Sequence, residues 1–194
     1  MKKSVGNKIL LSIIIPYHKK KKFFHSTIKS IYSQTFKNYE VILIYDDNDY
    51  GEINFVKDQL KKIKNRKLIV NKKILGPGLS RNIGIKYAKG KLIAFCDADD
   101  TWHKNKLSEQ IKFMVKNNLQ FSHTSYNIIN FNGKKVGQFK IKEKLNYSDL
   151  LKSCDIGLST VIVEKKVLNT SKFCNLKTKE DYYLWLKLVK KLKI

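Results

Sequence analysis

Leu92-Ile93-Ala94-Phe95-Cys96 runs without a polar residue straight into Asp97-Ala98-Asp99-Asp100. A short run with no polar side chain reads as a strand covered on both faces, and the acids mark where it surfaces. The same pattern occurs upstream. Val41-Ile42-Leu43-Ile44-Tyr45 ends in Asp46-Asp47-Asn48-Asp49, and an apolar run from Ile9 to Ile15 ends at Pro16. Helical spacing fills the intervals: Phe24, Ile28, Ile31 and Tyr32 within Phe23 to Gln34, then Ile53, Val56, Leu60 and Ile63. Lys67 to Asn71 reads as a third strand, Gly76-Pro77-Gly78 as a loop, and Leu79 to Ala88 as a short helix. Doubly apolar strands alternating with helices predict an α/β fold, a mostly parallel central sheet with helices on both faces. Ligands bind such sheets where the strands end.

The second half predicts a mixed or antiparallel region. A helix from about Asn105 to Lys116 leads to an alternating run from Phe121 to Phe131. The turn Asn132-Gly133 and a partner strand, Val136 to Ile141, complete a hairpin signal. Ser159 to Glu164 reads as another strand. Asp181 to Leu192 reads as an amphipathic helix carrying Tyr182, Leu184, Trp185, Leu188 and Val189. No linker-like segment or internal repeat divides residues 1–194, so one domain is expected.

Composition narrows the class. In 194 residues, 42% are hydrophobic, with only two Pro and nine Gly, which excludes disordered, collagen-like and low-complexity chains. No apolar stretch approaches spanning length, and Met1-Lys2-Lys3-Ser4 leads to no cleavage pattern, so a soluble cytoplasmic protein is expected. Cys96, Cys154 and Cys174 show no CxxC spacing, which predicts reduced, buried thiols rather than a disulfide framework or a zinc site. Forty Lys plus Arg against 16 Asp plus Glu give a formal charge of +24. Lipid head groups, nucleic acid and nucleoside diphosphates would all feel this field. Arg66 and Arg81 are the only arginines, whereas a surface built to grip phosphates bidentately would use more.

In a parallel sheet the acids at Asp46-Asp47 and Asp97 to Asp100 fall on one edge. Gathered like charges call for a compensating cation or hydrogen-bonding ligand, and hard divalent ions take carboxylates plus substrate phosphates. Acids in such places also cap helices and make turns. Three acids in four positions exceed what one cap needs. His18, His25, His103 and His123 lack metal spacing and read as surface or loop side chains, and Lys19 to Lys22 reads as a solvated flank.

These residues occur within longer patterns: Ser12 to Tyr17, Ser30 to Phe36 with Tyr39-Glu40, Asp46-Asp47-Asn48, Gly76 to Gly84, Ala88-Lys89-Gly90, Asp97 to Trp102 with Lys106-Leu107 and Gln110, and Glu180 to Leu186. In that order they resemble the family 2 glycosyltransferases, inverting sugar-nucleotide-dependent enzymes with a GT-A type fold.

The resemblance implies a nucleotide-binding half at 1–100 and an acceptor and catalytic-base half at 101–194. It implies that Pro16 and Tyr17 lie near the nucleotide base, that Asp47 accepts from base or ribose with Asp46 beside it, and that Arg81 is a basic position near the nucleotide. Asp97 and Asp99 would meet the nucleotide, Asp99 and Asp100 a divalent metal (Mg²⁺ or Mn²⁺), and Asp181 would be the catalytic base. The donor would be a nucleotide-diphosphate sugar, UDP-linked, and the acceptor a glycan or lipid-linked molecule at the inner face of the cell membrane. That place implies peripheral contact with anionic lipid, and no specific nucleic acid partner.

The sequence departs from the pattern at His18, where the family commonly carries Asn. It also stops at Leu192-Lys193-Ile194, where family domains usually continue into a closing segment. A nucleotidyltransferase and a non-catalytic basic binding protein are the rival readings. The first would place a Gly-rich loop where Pro16-Tyr17-His18 stands, and the second would show a nucleic-acid-reading motif, which is lacking.

Overall fold

The computed structural model describes residues 10–142 and 145–192; the first residue of the Ile9 run, the Met1 to Ser4 start and Lys193-Ile194 lie outside them. In chain order the main elements begin with β1 (Leu11–Tyr17), α1 (Lys21–Tyr32), β2 (Tyr39–Tyr45), α2 (Ile53–Leu60), β3 (Arg66–Val70), α3 (Pro77–Tyr87), β4 (Leu92–Phe95) and α4 (Lys106–Lys116). They continue with β5 (Phe121–Ser122), β6 (Tyr126–Ile129), β7 (Lys135–Phe139), α5 (Tyr147–Lys152), β8 (Ile162–Glu164), α6 (Lys165–Asn169) and α7 (Glu180–Val189).

The large sheet has the order β3-β2-β1-β4-β8-β5, and β6 pairs only with β7. β1 pairs parallel with β2 and β4, and β2 with β3. β8 runs antiparallel to β4 and to β5. Crossover helices allow the parallel half, and β8 introduces the mixed half.

Alternation along β1 explains why both of its faces are apolar. Ile13, Ile15 and Tyr17 join Phe24, Ile28 and Ile31 of α1, Val56 of α2 and Leu107 of α4 in one core. Ile14 faces the opposite core, with Ile85 of α3, Leu150 of α5, Leu168 of α6 and Leu184 and Trp185 of α7. A polar residue buried in such a strand needs a partner, and Ser12 of β1 has one: its hydroxyl donates to Glu40 Oε1 of β2 at 2.7 Å.

Several residues of the recurring patterns build scaffold. Gln34 donates to the backbone oxygens of Ser30 and His103 and accepts from the Leu107 N–H, fixing the chain after Asp100. Ser30 Oγ accepts from Trp102 N–H at 3.1 Å. Gly84 lets α3 lie on β1: a Cβ there would stand 2.5 Å from Ile14 Cγ2.

Three element boundaries and the burial of the cysteines differ from expectation. The run from Phe121 to Phe131 divides, because Phe121–Ser122 joins β8 in the main sheet while Tyr126–Ile129 turns out into the hairpin. Ser159 is not in a strand; Leu158–Thr160 forms a 3₁₀ turn and β8 begins at Ile162. Gly76-Pro77-Gly78 is the start of a helix, with Gly76 at φ 85° and Pro77 pre-set in the first turn. Of the cysteines only Cys96 is buried; Cys154 is exposed and Cys174 half-buried, all with free thiols. Among the described residues no helix is long and apolar enough to cross a membrane.

Candidate active site

β1, β2 and β4 end side by side. Asp46 N–H donates to Tyr17 O at 2.8 Å, and Cys96 N–H donates to Ile14 O at 3.1 Å, so the first motif and both acidic clusters share one edge. Asp46 is committed there to structure. Its Oδ1 accepts from Asn71 Nδ2 at 2.7 Å and Leu75 N–H at 2.8 Å, and its Oδ2 accepts from Gly76 N–H at 2.8 Å. Both oxygens therefore hold the loop that starts α3, which corrects the expectation of a nucleotide contact.

Tyr17 is engaged within the fold. Its ring is fully buried, stacks on Tyr45 at 5.5 Å, and its hydroxyl donates to Glu52 Oε2 at 2.5 Å. Burial is the main reason, with the hydrogen bond to Glu52, that its pKa is raised far above the ordinary phenol value. The ring supports the floor beneath Asp47 from inside the core. Pro16, half-buried, precedes it within β1. Asp47 itself accepts from Asp49 N–H at 3.1 Å, and Nδ1 of His18 stands 3.5 Å from its second oxygen. The same Nδ1 lies 2.8 Å from Asp46 O, so the residue that departs from the family pattern sits on the rim of the nucleotide side.

At the end of β4 the acids have different surroundings. Asp97 N–H donates to Ser159 Oγ at 2.9 Å, and its carboxylate accepts from Arg81 at 2.7 Å. Arg81 donates also to Glu180 Oε1 at 2.6 Å and is buried, with the Phe173 ring 5.4 Å from its guanidinium carbon. Both forks of the guanidinium end on carboxylates. Arg81 is thus a strut between the end of β4 and α7.

Asp99 pairs with Lys20 at 2.6 Å, both partners part-exposed. Asp100 stands at the exposed rim, and its carboxyl is held above the usual range. Desolvation by the surrounding protein is the main cause, and the charges of Asp97 and Asp99 add to it against Ser159 and Lys20. A cation placed here would relieve that repulsion, so the donor set fits a hard divalent ion. Among the described residues no group of three His, Cys, Asp or Glu side chains is arranged to hold a metal alone. One or two carboxylates completed by phosphate oxygens is the arrangement such ions accept.

Asp181 opens α7 beside Glu180, half-buried, with Oδ1 accepting from Tyr182 N–H at 2.8 Å. Desolvation chiefly, and then the Glu180 charge, raise its pKa against the Tyr182 N–H and Arg81. A carboxylate more basic than usual suits proton abstraction. The Asp97–Arg81–Glu180 chain of ion pairs ties its position to the acidic cluster.

The structure places Asp46, Asp47, Asp97, Asp99 and Asp100 at the ends of β2 and β4 on one sheet edge, and Arg81 links Asp97 to Glu180, the neighbour of Asp181; this edge is the candidate crevice, with Tyr17, Asp46 and Arg81 engaged within the fold. Sequence reasoning missed Lys20, dismissed within a lysine run, and Ser159, read as strand. It also missed Glu180, whose signal was present: a buried arginine needs carboxylates, and few acids are available. His123 is half-buried rather than a surface side chain, and desolvation pushes its pKa down to about 4.

The family model "Glycosyl transferase family 2" matches residues 12–173. A UDP-Glc:alpha-D-GlcNAc-diphosphoundecaprenol beta-1,3-glucosyltransferase, WfgD of Escherichia coli, is 40% identical over 182 residues, covering 93% of this chain and 70% of that protein. The crystal structure of S. aureus TarS 1-349 with UDP superposes with a TM-score of 0.77 at 24% identity, over 93% of this chain and 55% of that one. The mannosyltransferase PcManGT from Pyrobaculum calidifontis, with GDP-Man and Mn²⁺, gives 0.70 at 14% identity over 92% of this chain and 51% of that one. The chain spans 32% of the length of two longer curated relatives.

Proposed function

The chain belongs to glycosyl transferase family 2 and is a glycosyltransferase of GT-A fold, and from that premise we propose that it moves a sugar, with inversion, from a UDP-sugar to a lipid-linked glycan acceptor. The WfgD relative, whose name states a UDP-glucose donor and a diphosphoundecaprenol-linked acceptor, supports both substrate classes. The UDP bound in the TarS structure supports the donor nucleotide.

Asp181 is the general base. It takes the proton of the attacking hydroxyl on the face of the sugar opposite the leaving group, while the anomeric carbon acquires oxocarbenium character. Asp47 accepts a hydrogen bond from base or ribose, and Asp97 bounds the diphosphate side. Asp99 and Asp100 would hold a Mg²⁺ or Mn²⁺ ion, which would supply positive charge where the departing diphosphate gains negative charge. Lys20, paired with Asp99 at 2.6 Å, adds a cation on that side. The place of work is the cytoplasmic face of an anionic membrane, where such an acceptor and this net charge meet.

One observation carries this reading: a half-buried carboxyl of raised basicity, Asp181, is held by the Glu180–Arg81–Asp97 strut against the acids that end β4. The test is a panel of sugar nucleotides screened for thermal stabilisation with Mn²⁺ and with a chelator. A UDP-sugar is expected to raise the unfolding temperature with metal and to lose most of that effect without it. Stabilisation indifferent to the chelator excludes the metal role, and no stabilisation by any sugar nucleotide excludes the donor reading.

A further inference from the structure

The β6–β7 hairpin stands outside the main sheet and buries little of its own apolar surface. Phe131 is 80% exposed and Val136 62%, and Ile128 and Ile129 are exposed beside them. A lone two-stranded hairpin is marginal in water, and a cluster of large apolar side chains at its tip is more than scattered surface hydrophobics explain. The sequence from His123 to Lys142 contains no acid, whereas Lys134, Lys135 and Lys140 are exposed around the apolar residues.

The tip leans on the start of α1. Phe131 stacks on Phe23 at 6.0 Å, and the Lys22 ammonium lies 5.4 Å from the Phe131 ring centre. The base of the hairpin borders the crevice: Asp100, Asp155 and Cys154 each act electrostatically on Tyr126, whose ring stacks on Phe139 at 5.3 Å. One surface therefore runs from the crevice mouth to an apolar tip ringed by lysines.

We propose that the β6–β7 hairpin is the element that docks the protein on an anionic lipid surface, with Phe131 and Val136 entering the interface and Lys22, Lys134, Lys135 and Lys140 meeting the head groups. A second copy of this chain would bring two bodies of formal charge +24 together at a face carrying lysines and no acid from His123 to Lys142, so self-association is disfavoured where an acidic membrane is favoured. Apolar area and lysines act together, as interfacial binding requires. Docking here holds the crevice against the membrane, where the proposed lipid-linked acceptor resides; the purpose rests on that reading, but the contact does not.

The experiment is sedimentation with vesicles of phosphatidylcholine alone and of phosphatidylcholine with phosphatidylglycerol. The wild-type protein is expected to partition to the anionic vesicles and to be released by salt. The Phe131→Ser/Val136→Ser variant is expected to lose affinity by about tenfold or more, because two large apolar side chains no longer leave water. Both positions are exposed, so that variant should unfold at the wild-type temperature within about 2 °C.

Equal binding of variant and wild type to anionic vesicles overturns the proposal, as does wild-type protein that stays in solution with both vesicles. A wild-type dimer that the double substitution converts to a monomer also overturns it and assigns the face to a second copy. Vesicle binding needs no sugar nucleotide, so failure of every UDP-sugar to stabilise the protein would remove the transferase reading and leave the docking surface standing.

Discussion

Replacing Arg81 by Met removes a charge that two carboxylates share while keeping most of the side-chain volume. Glu180 is 8% exposed and cannot recover its lost partner from water, whereas Asp97, at 36%, can be solvated. The cost therefore centres on Glu180 and is expected at about 3 kcal/mol, the lower end for orphaning one member of a buried pair. For a chain of this size that corresponds to a fall in unfolding temperature of about 6–12 °C, measurable by calorimetry or circular dichroism. Arg81→Met/Glu180→Met should recover most of the loss, because no uncompensated charge then remains inside. Arg81→Lys should fall between, since an ammonium cannot fork to both acids. A shift under about 2 °C for Arg81→Met, or a double variant no better than the single, would show that the strut is not what seats α7.

Asp181→Asn should lower transfer by about a hundred- to ten-thousandfold with donor stabilisation retained; undiminished turnover removes Asp181 from the mechanism. In the wild type, transfer should fail as acid pH protonates Asp181, on a limb lying above the usual carboxylate range because burial raises its pKa. The raised pKa means the folded state holds this proton more tightly than the unfolded chain, so Asp181 contributes stability at acid pH that is lost as pH rises through its folded pKa. Asn at this position should then be no less stable than Asp at neutral pH, with the difference vanishing in acid; a neutral-pH loss of stability contradicts the desolvation argument. Lys106 has its ammonium buried without a hydrogen-bond partner, 4.0 Å from the Trp102 ring centre, and burial pushes its pKa down to about 7. Its charged form costs stability fully below that value and less as pH rises towards the unfolded pKa, so Lys106→Met should unfold several degrees higher than wild type in mild acid, with a gap that narrows in base. A constant gap across that range would refute the burial account.

The central strands were legible because β1, β2 and β4 are covered on both sides, and Asn132-Gly133 marked the hairpin by the turn geometry it demands. What the pattern could not show is where a run changes partners. Phe121 to Phe131 was read as one run, yet pairing with β8 ends at Ser122, within the polar stretch Ser122-His123-Thr124-Ser125 that leads out to the hairpin. Ser159 was misread for the same reason: its backbone closes a 3₁₀ turn so that its hydroxyl and carbonyl can meet Asp97 N–H and Trp102 Nε1, contacts supplied by elements distant in the chain.

The same gap explains why roles within the crevice were only partly readable. Asp46 and Asp47 are neighbours of one type at one strand end, but consecutive residues there face opposite ways. Asp46 turns towards the N-terminal end of α3 and is saturated by Asn71, Leu75 and Gly76; Asp47, equally buried, accepts from Asp49 N–H on one oxygen and has His18 Nδ1 3.5 Å from the other. Glu180 and Asp181 divide in the same manner, one neutralising Arg81 in the interior and the other facing the crevice with a single backbone partner. An acid whose oxygens are already filled by donors of the fold has no vacancy for a ligand, and an acid with an unfilled oxygen and raised basicity does. At the end of β2 and the start of α7 one carboxylate of each adjacent pair is spent on rigidity, and its neighbour is the one to which the proposed function gives a chemical role.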